Sequence, residues 1–143
     1  MDLLERAAHV VLISDLVARL AQAADSGTLE EYGALLAEDF TWEMPASPDI
    51  DLPAQVRTGR ESALIGAQER RDAGIQGPGT GTFHVITTVS VDPGPDEATS
   101  MAYWHYYTHG REMPVLQSMG VYRDRFVRID GTWLIASRQI SRP

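Results

Sequence analysis

The second half of the chain constrains the fold more than anything else in it. Four long segments, Thr82–Val91, Ala98–Thr108, Val115–Ile129 and Thr132–Ile140, are rich in β-branched and aromatic residues. Turn formers separate them: Asp92-Pro93-Gly94-Pro95-Asp96, Gly110, and the two-residue hairpin signal Asp130-Gly131. The first half reads as helices instead. From Leu3 to Asp25, the residues Leu4, Ala8, Val11, Leu12, Leu16, Leu20 and Ala23 recur every three or four positions, which predicts a long helix burying that stripe. Ser26-Gly27 ends it, and Thr28 with Glu31 reads as the capping box of a second helix that buries Tyr32. Phe40–Met44 predicts a first strand, Val56-Arg57 a short second one, and Arg60–Asp72 a third helix stopped at Gly74. Pro45–Pro53, with three prolines besides Asp49 and Asp51, predicts a surface loop. Gly77–Gly81 predicts a plain connector, because a glycine run without lysine is a poor phosphate cradle. Helices followed by an antiparallel meander make an α+β order, and 143 residues suit one domain.

Composition removes several chemistries. All 12 basic residues are Arg, and Lys, Asn and Cys are absent. Schiff bases, thiolate nucleophiles, disulfides and cysteine-held metal centres are thereby excluded. A net charge of −8 repels a phosphate backbone, so no nucleic-acid partner is expected. Ser14 and Asp15 interrupt the apolar run Val10–Ile13, and no basic secretory start precedes it. The expectation is a cytoplasmic protein without a membrane partner.

Strand parity sorts the remaining candidates. Phe83, Val85, Thr87, Val89 and Val91 share one face, opposite His84, Ile86, Thr88 and Ser90. Met101, Tyr103, His105, Tyr107 and His109 share another, opposite Ala98, Ser100, Ala102, Trp104, Tyr106 and Thr108. Two Tyr and two His on one face suit either a pocket for an aromatic ligand or a dimer interface, and both stay open. Trp42, Tyr122 and Arg138 join Tyr103, His105 and Tyr107 as candidate substrate contacts. His105 and His109 would stand roughly 13 Å apart on a strand, too far to share an ion, so no metal is expected. Asp25 faces the negative end of the first helix dipole and needs something to compensate it, whether solvent, an Arg or a His. Asp39 and Asp124 read as structural partners of arginines such as Arg138 or Arg125.

Nearly the whole chain resembles the SnoaL-like proteins of the nuclear transport factor 2-like superfamily. The resemblance rests on Arg19-Leu20-Ala21-Gln22-Ala23-Ala24-Asp25, Leu36-Ala37-Glu38-Asp39-Phe40, Gly59-Arg60-Glu61 and Phe83-His84-Val85. Gly120-Val121-Tyr122-Arg123-Asp124-Arg125, then Asp130-Gly131-Thr132-Trp133 and Arg138, complete it. It implies a cone-shaped α+β barrel: three helices on a strongly curved, mostly antiparallel sheet that encloses a pocket, with homodimers formed on the outer sheet face. It also implies Asp25 and His84 as a catalytic dyad; a Tyr of the aromatic strand face, Tyr107 or Tyr103, would have to replace the phenol that the family pattern supplies and this chain lacks. The implied activity is that of a cofactor-independent lyase or isomerase acting on a polyketide, steroid or other hydrophobic ring compound. Leu20 departs from the Tyr common there in dehydratase-like relatives, which leaves a non-catalytic binding module, or an accessory subunit of a larger enzyme, as the alternative.

Overall fold

The structure is a computed structural model, and it describes residues 1–46 and 53–143. Residues 47–52 of the expected Pro45–Pro53 loop lie outside the described residues. Among the described residues three helices, α1 (Leu3–Ser26), α2 (Leu29–Gly33) and α3 (Arg60–Asp72), accompany six strands. The strands are β1 (Leu36–Met44), β2 (Gln55–Thr58), β3 (Phe83–Pro93), β4 (Glu97–Thr108), β5 (Val115–Ile129) and β6 (Thr132–Ser141). They form one sheet in the order β2-β1-β6-β5-β4-β3. Only β1 and β6 run parallel. The sheet is curved but not closed into a barrel. Its helix-covered face holds the core, with Phe40, Phe126, Ile13, Leu20, Leu36, Ile135 and Val17 fully buried.

Local signals act as expected at several points. Thr28 Oγ1 accepts from the Glu31 N–H at 3.0 Å and Glu31 Oε1 from the Thr28 N–H at 3.3 Å, so α2 carries both halves of its capping box. Asp130 (φ 50°) and Gly131 (φ 80°) both take the left-handed conformation that a type I′ hairpin turn needs. The first strand starts at Leu36 rather than Phe40.

Two expectations are corrected. The buried stripe of α1 is His9, Ile13, Leu16, Val17, Leu20, Ala23 and Asp25, while Leu4, Val11 and Leu12 are exposed. Apolar residues occupy much of the helix circumference, so periodicity admits two stripes. Trp133 Nε1, donating to His9 Nδ1 at 3.1 Å, belongs to the packing that selects one of them. By length and composition the 24-residue α1 is also apolar enough to cross a membrane, which the interrupted run at 10–13 did not suggest. The second correction concerns β3. Its register with β4 gains a residue between Thr87 and Ser90, where Thr88 takes φ 53°. This bulge reverses the parity beyond it. Val91 consequently pairs with buried Ser100 and leaves the face of Phe83 and Val85.

Candidate acid–base site

The last turn of α1 and the start of β3 meet at Asp25 and His84. A carboxylate there, at the negative end of the helix dipole, is unfavourable unless donors surround it. Three do. The backbone N–H of His84 donates to Asp25 Oδ2 at 2.7 Å, His84 Nδ1 lies 2.9 Å from Oδ1, and Gln76 Nε2 donates to Oδ1 at 3.3 Å. Arg71 Nη2 meanwhile donates to the carbonyls of Ala23 and Ala24 at 3.1 and 3.2 Å, satisfying the helix end itself. The expected compensation therefore comes from a histidine, an amide and an arginine together.

Hydrogen-bond logic fixes the tautomer. Arginine only donates, so Arg70 Nε, 3.3 Å from Gln76 Oε1, identifies that atom as the amide oxygen. Gln76 Nε2 is then a donor, and its 3.3 Å approach to His84 Nδ1 places two donors side by side, both serving Asp25 Oδ1. His84 thus carries its proton on Nδ1. Its Nε2 makes no hydrogen bond among the described residues and keeps a free lone pair. The Asp25 side chain is 3% exposed and that of His84 15%, so the imidazole is the partner reachable from outside. A cleft of about 270 Å³ opens onto both, lined also by Ala18, Gln22, Phe83 and Ile86.

The aromatic wall beside His84 is not the expected one. Across β3 and β4, His84 pairs with Tyr106 and Ile86 with Trp104, whereas Phe83, Val85 and Thr87 pair with Tyr107, His105 and Tyr103. Directly opposed residues share a face, so Tyr103, His105 and Tyr107 lie on the outer face, away from His84. Tyr103 is 42% exposed. The ring beside His84 is instead that of Tyr106, whose centroid lies 5.0 Å from that of His84. Burial first, and then the negative charge of Asp25, push the Tyr106 phenol pKa up. Its hydroxyl donates to the carbonyl of Ile75. His109 falls beyond the end of β4 with φ 57°, so it is no longer part of a strand face.

Trp42, Tyr122 and Arg138 do lie in the interior. Arg138 donates to Asp124 through Nε at 2.9 Å and Nη2 at 2.8 Å, the structural pairing expected of Asp124. Exposed Asp39 makes no such pair among the described residues. The Arg138 guanidinium also lies 3.8 Å from the Tyr122 ring centroid. Burial works against its charge, but Asp124 outweighs that effect and raises the Arg138 pKa. Tyr122 is pushed up to about 12, chiefly by burial, with Arg138 opposing and Asp124 adding to the rise. Its hydroxyl therefore stays protonated as a donor. Arg70, which sequence reading passed over, lies 4.8 Å above the Trp42 ring. Among the described residues no three His, Asp or Glu side chains converge as a metal site would require.

A family model for the SnoaL-like domain matches residues 5–139. The chain belongs to the SnoaL-like family. No curated protein matches this SnoaL-like chain by sequence. Solved structures do match in fold. A Catenulispora acidiphila protein in complex with S-DNPA is 23% identical with a TM-score of 0.77, over 95% of this chain and 94% of its own. The β-subunit of a putative aromatic-ring-hydroxylating dioxygenase from Novosphingobium aromaticivorans is 20% identical with a TM-score of 0.74, over 94% and 89%. A putative scytalone dehydratase from the same organism is 19% identical with a TM-score of 0.67, over 92% and 82%.

Proposed function

We propose that this SnoaL-like chain is a cofactor-independent lyase or isomerase in which His84 Nε2 removes a proton from carbon beside a carbonyl of a hydrophobic ring compound. The observation that carries this is the doubly hydrogen-bonded Asp25–His84 pair, which commits Nδ1 and leaves Nε2 unengaged. Asp25 orients the ring and stabilises the imidazolium that forms when Nε2 accepts the proton. The electron pair of the broken C–H bond moves onto the carbonyl oxygen, where a hydrogen-bond donor reaching the cleft would receive that charge. The imidazolium then returns its proton to another carbon, which is isomerisation, or to a departing hydroxyl, which is dehydration. The ligand-bound Catenulispora neighbour and the dehydratase-named neighbour support a small-molecule role of this kind. The outer face, where Phe83, Val85 and Tyr103 are exposed, would pair two copies as a homodimer.

2-Tetralone, a bicyclic ketone with acidic C–H bonds, is a suitable probe in D₂O followed by proton NMR. The expected result is loss of the α-proton signals at a rate proportional to protein concentration and well above buffer. A rate equal to buffer for this and related ring ketones would favour the binding module, to which Leu20 already points.

A further inference from the structure

The cleft beside the dyad has a helix wall and a strand wall. Ala18, Ala21, Gln22, Asp25 and Ser26 recur at spacings of three and four along α1, so they form a second stripe beside the buried one. Phe83, His84 and Ile86 supply the other wall, and because β3 is the edge strand the cleft reaches both of its faces. The small side chains of Ala18 and Ala21, with Phe83 and Ile86, make most of this surface apolar. The polar groups gather at one end, and nearly all are committed. Asp25 accepts from three donors. The Ser26 hydroxyl donates to the backbone carbonyl of Gln22 at 3.0 Å. His84 spends its Nδ1 proton on Asp25, and its bare Nε2 can only accept. That leaves Gln22, one helical turn before Asp25, whose side-chain amide has no partner among the described residues.

We infer that the Gln22 amide is the donor that holds the oxygen of a ring ketone in this cleft and receives its charge when the enolate forms. Residues three apart on a helix are surface neighbours, which sets Gln22 beside Asp25 and the imidazole that Asp25 carries. A carbonyl oxygen only accepts, so it is repelled by the bare Nε2 of His84 and matched by the two N–H groups of the amide. The ketone then turns its oxygen to Gln22 and its α-carbon to His84. The enolate step rests on the proton-transfer reading of this site, whereas holding the neutral carbonyl does not. The rival donor is the backbone N–H of Ile86. It lies two residues beyond His84 and points away from β4, as does the His84 N–H that meets Asp25.

Ligand-observed NMR titration separates the two, with 2-tetralone compared with tetralin, the same ring system without the oxygen. Position 22 is exposed, so two substitutions are tolerable there. Gln22→Leu is a good helix former without donors, and Gln22→Glu keeps the shape but only accepts. The ratio of 2-tetralone to tetralin affinity is expected to fall about fivefold in both variants, the size of one neutral hydrogen bond. Retained tetralin binding reports an intact cleft. The same fall is expected when both substitutions are repeated on His84→Ala. Because the bond strengthens on an enolate, α-proton exchange at saturating ketone should fall further, by about 10²-fold in Q22L. An unchanged ratio in either variant would overturn the inference and favour Ile86. No measurable binding of 2-tetralone to wild type, or exchange at saturation undiminished in Q22L, would overturn it as well. A ratio that falls with and without His84, while wild type exchanges no ketone protons, would leave Gln22 as the ligand contact and remove the enzymatic reading alone.

Discussion

Replacing His84 with alanine is expected to slow α-proton exchange of 2-tetralone by about 10²–10⁴-fold, the range that general-base catalysis supplies. The effect on folding is expected to be much smaller, for a structural reason. In His84→Ala the backbone N–H of residue 84 still donates to Asp25 Oδ2 and Gln76 still donates to Oδ1, so the carboxylate keeps two of its three donors. The lost bond from Nδ1 is worth about 1.5–3 kcal/mol at most, as a hydrogen bond to a charged group. Asp25→Asn tests the other half of the pair. An amide there offers one oxygen where the carboxylate offers two, so an NH₂ group must oppose one of the donors from His84 or Gln76. Exchange rates by NMR and urea melts on the same samples check both variants. A His84→Ala protein that exchanges ketone protons as fast as wild type would show that another group is the base.

The largest loss of stability is expected from Arg138→Met. Asp124 and Arg138 face each other in the β5–β6 register, and the Asp124 side chain is fully buried. Removing the cation alone leaves a carboxylate without its counter-ion in the interior, which costs about 3–5 kcal/mol. The paired replacement Asp124→Leu with Arg138→Met removes both charges and should recover most of that loss, because two apolar side chains need no compensation. Urea denaturation of wild type, both single variants and the double variant closes the cycle. A single-variant cost below about 1 kcal/mol, the size typical of exposed ion pairs, would mean that water reaches this pair in the folded chain.

Much of the fold was legible because it rests on local signals. The hairpin at Asp130-Gly131, the capping box at Thr28 and Glu31, and the limits of α3 and β5 depend on a few neighbouring residues, and the structure has them where the sequence puts them. Family resemblance marked Asp25 and His84, and their contact across 59 residues bears out that they sit together. The failures arose where the decision is not local. Parity alone grouped Tyr103, His105 and Tyr107 correctly against Trp104 and Tyr106, but only the register that sets Tyr106 opposite His84 tells which group faces the dyad. A signal did exist: Ala98, Ala102 and Trp104, small or apolar and in phase with Tyr106, mark the buried side of β4. The bulge at Thr88 and the rotation of α1 have no comparable mark. Gln76 and Arg70 were missed for another reason. Gln76 stands beside the glycine run read as a connector, and Arg70 looks like any surface arginine at a helix end until the sheet curls beneath it.

The most direct measurement is the protonation pattern of the His84 ring, observed by long-range nitrogen–proton NMR on uniformly nitrogen-labelled protein, with His84→Ala to assign the signals. Spectra are taken at rising pH until the ring nitrogen signals no longer change, so that the neutral ring is observed. The geometry around Asp25 predicts a proton on Nδ1 and a bare, pyridine-like Nε2. A proton on Nε2 with a bare Nδ1 would contradict the assigned geometry, because that ring could neither donate to Asp25 nor accept a proton from a substrate through Nε2.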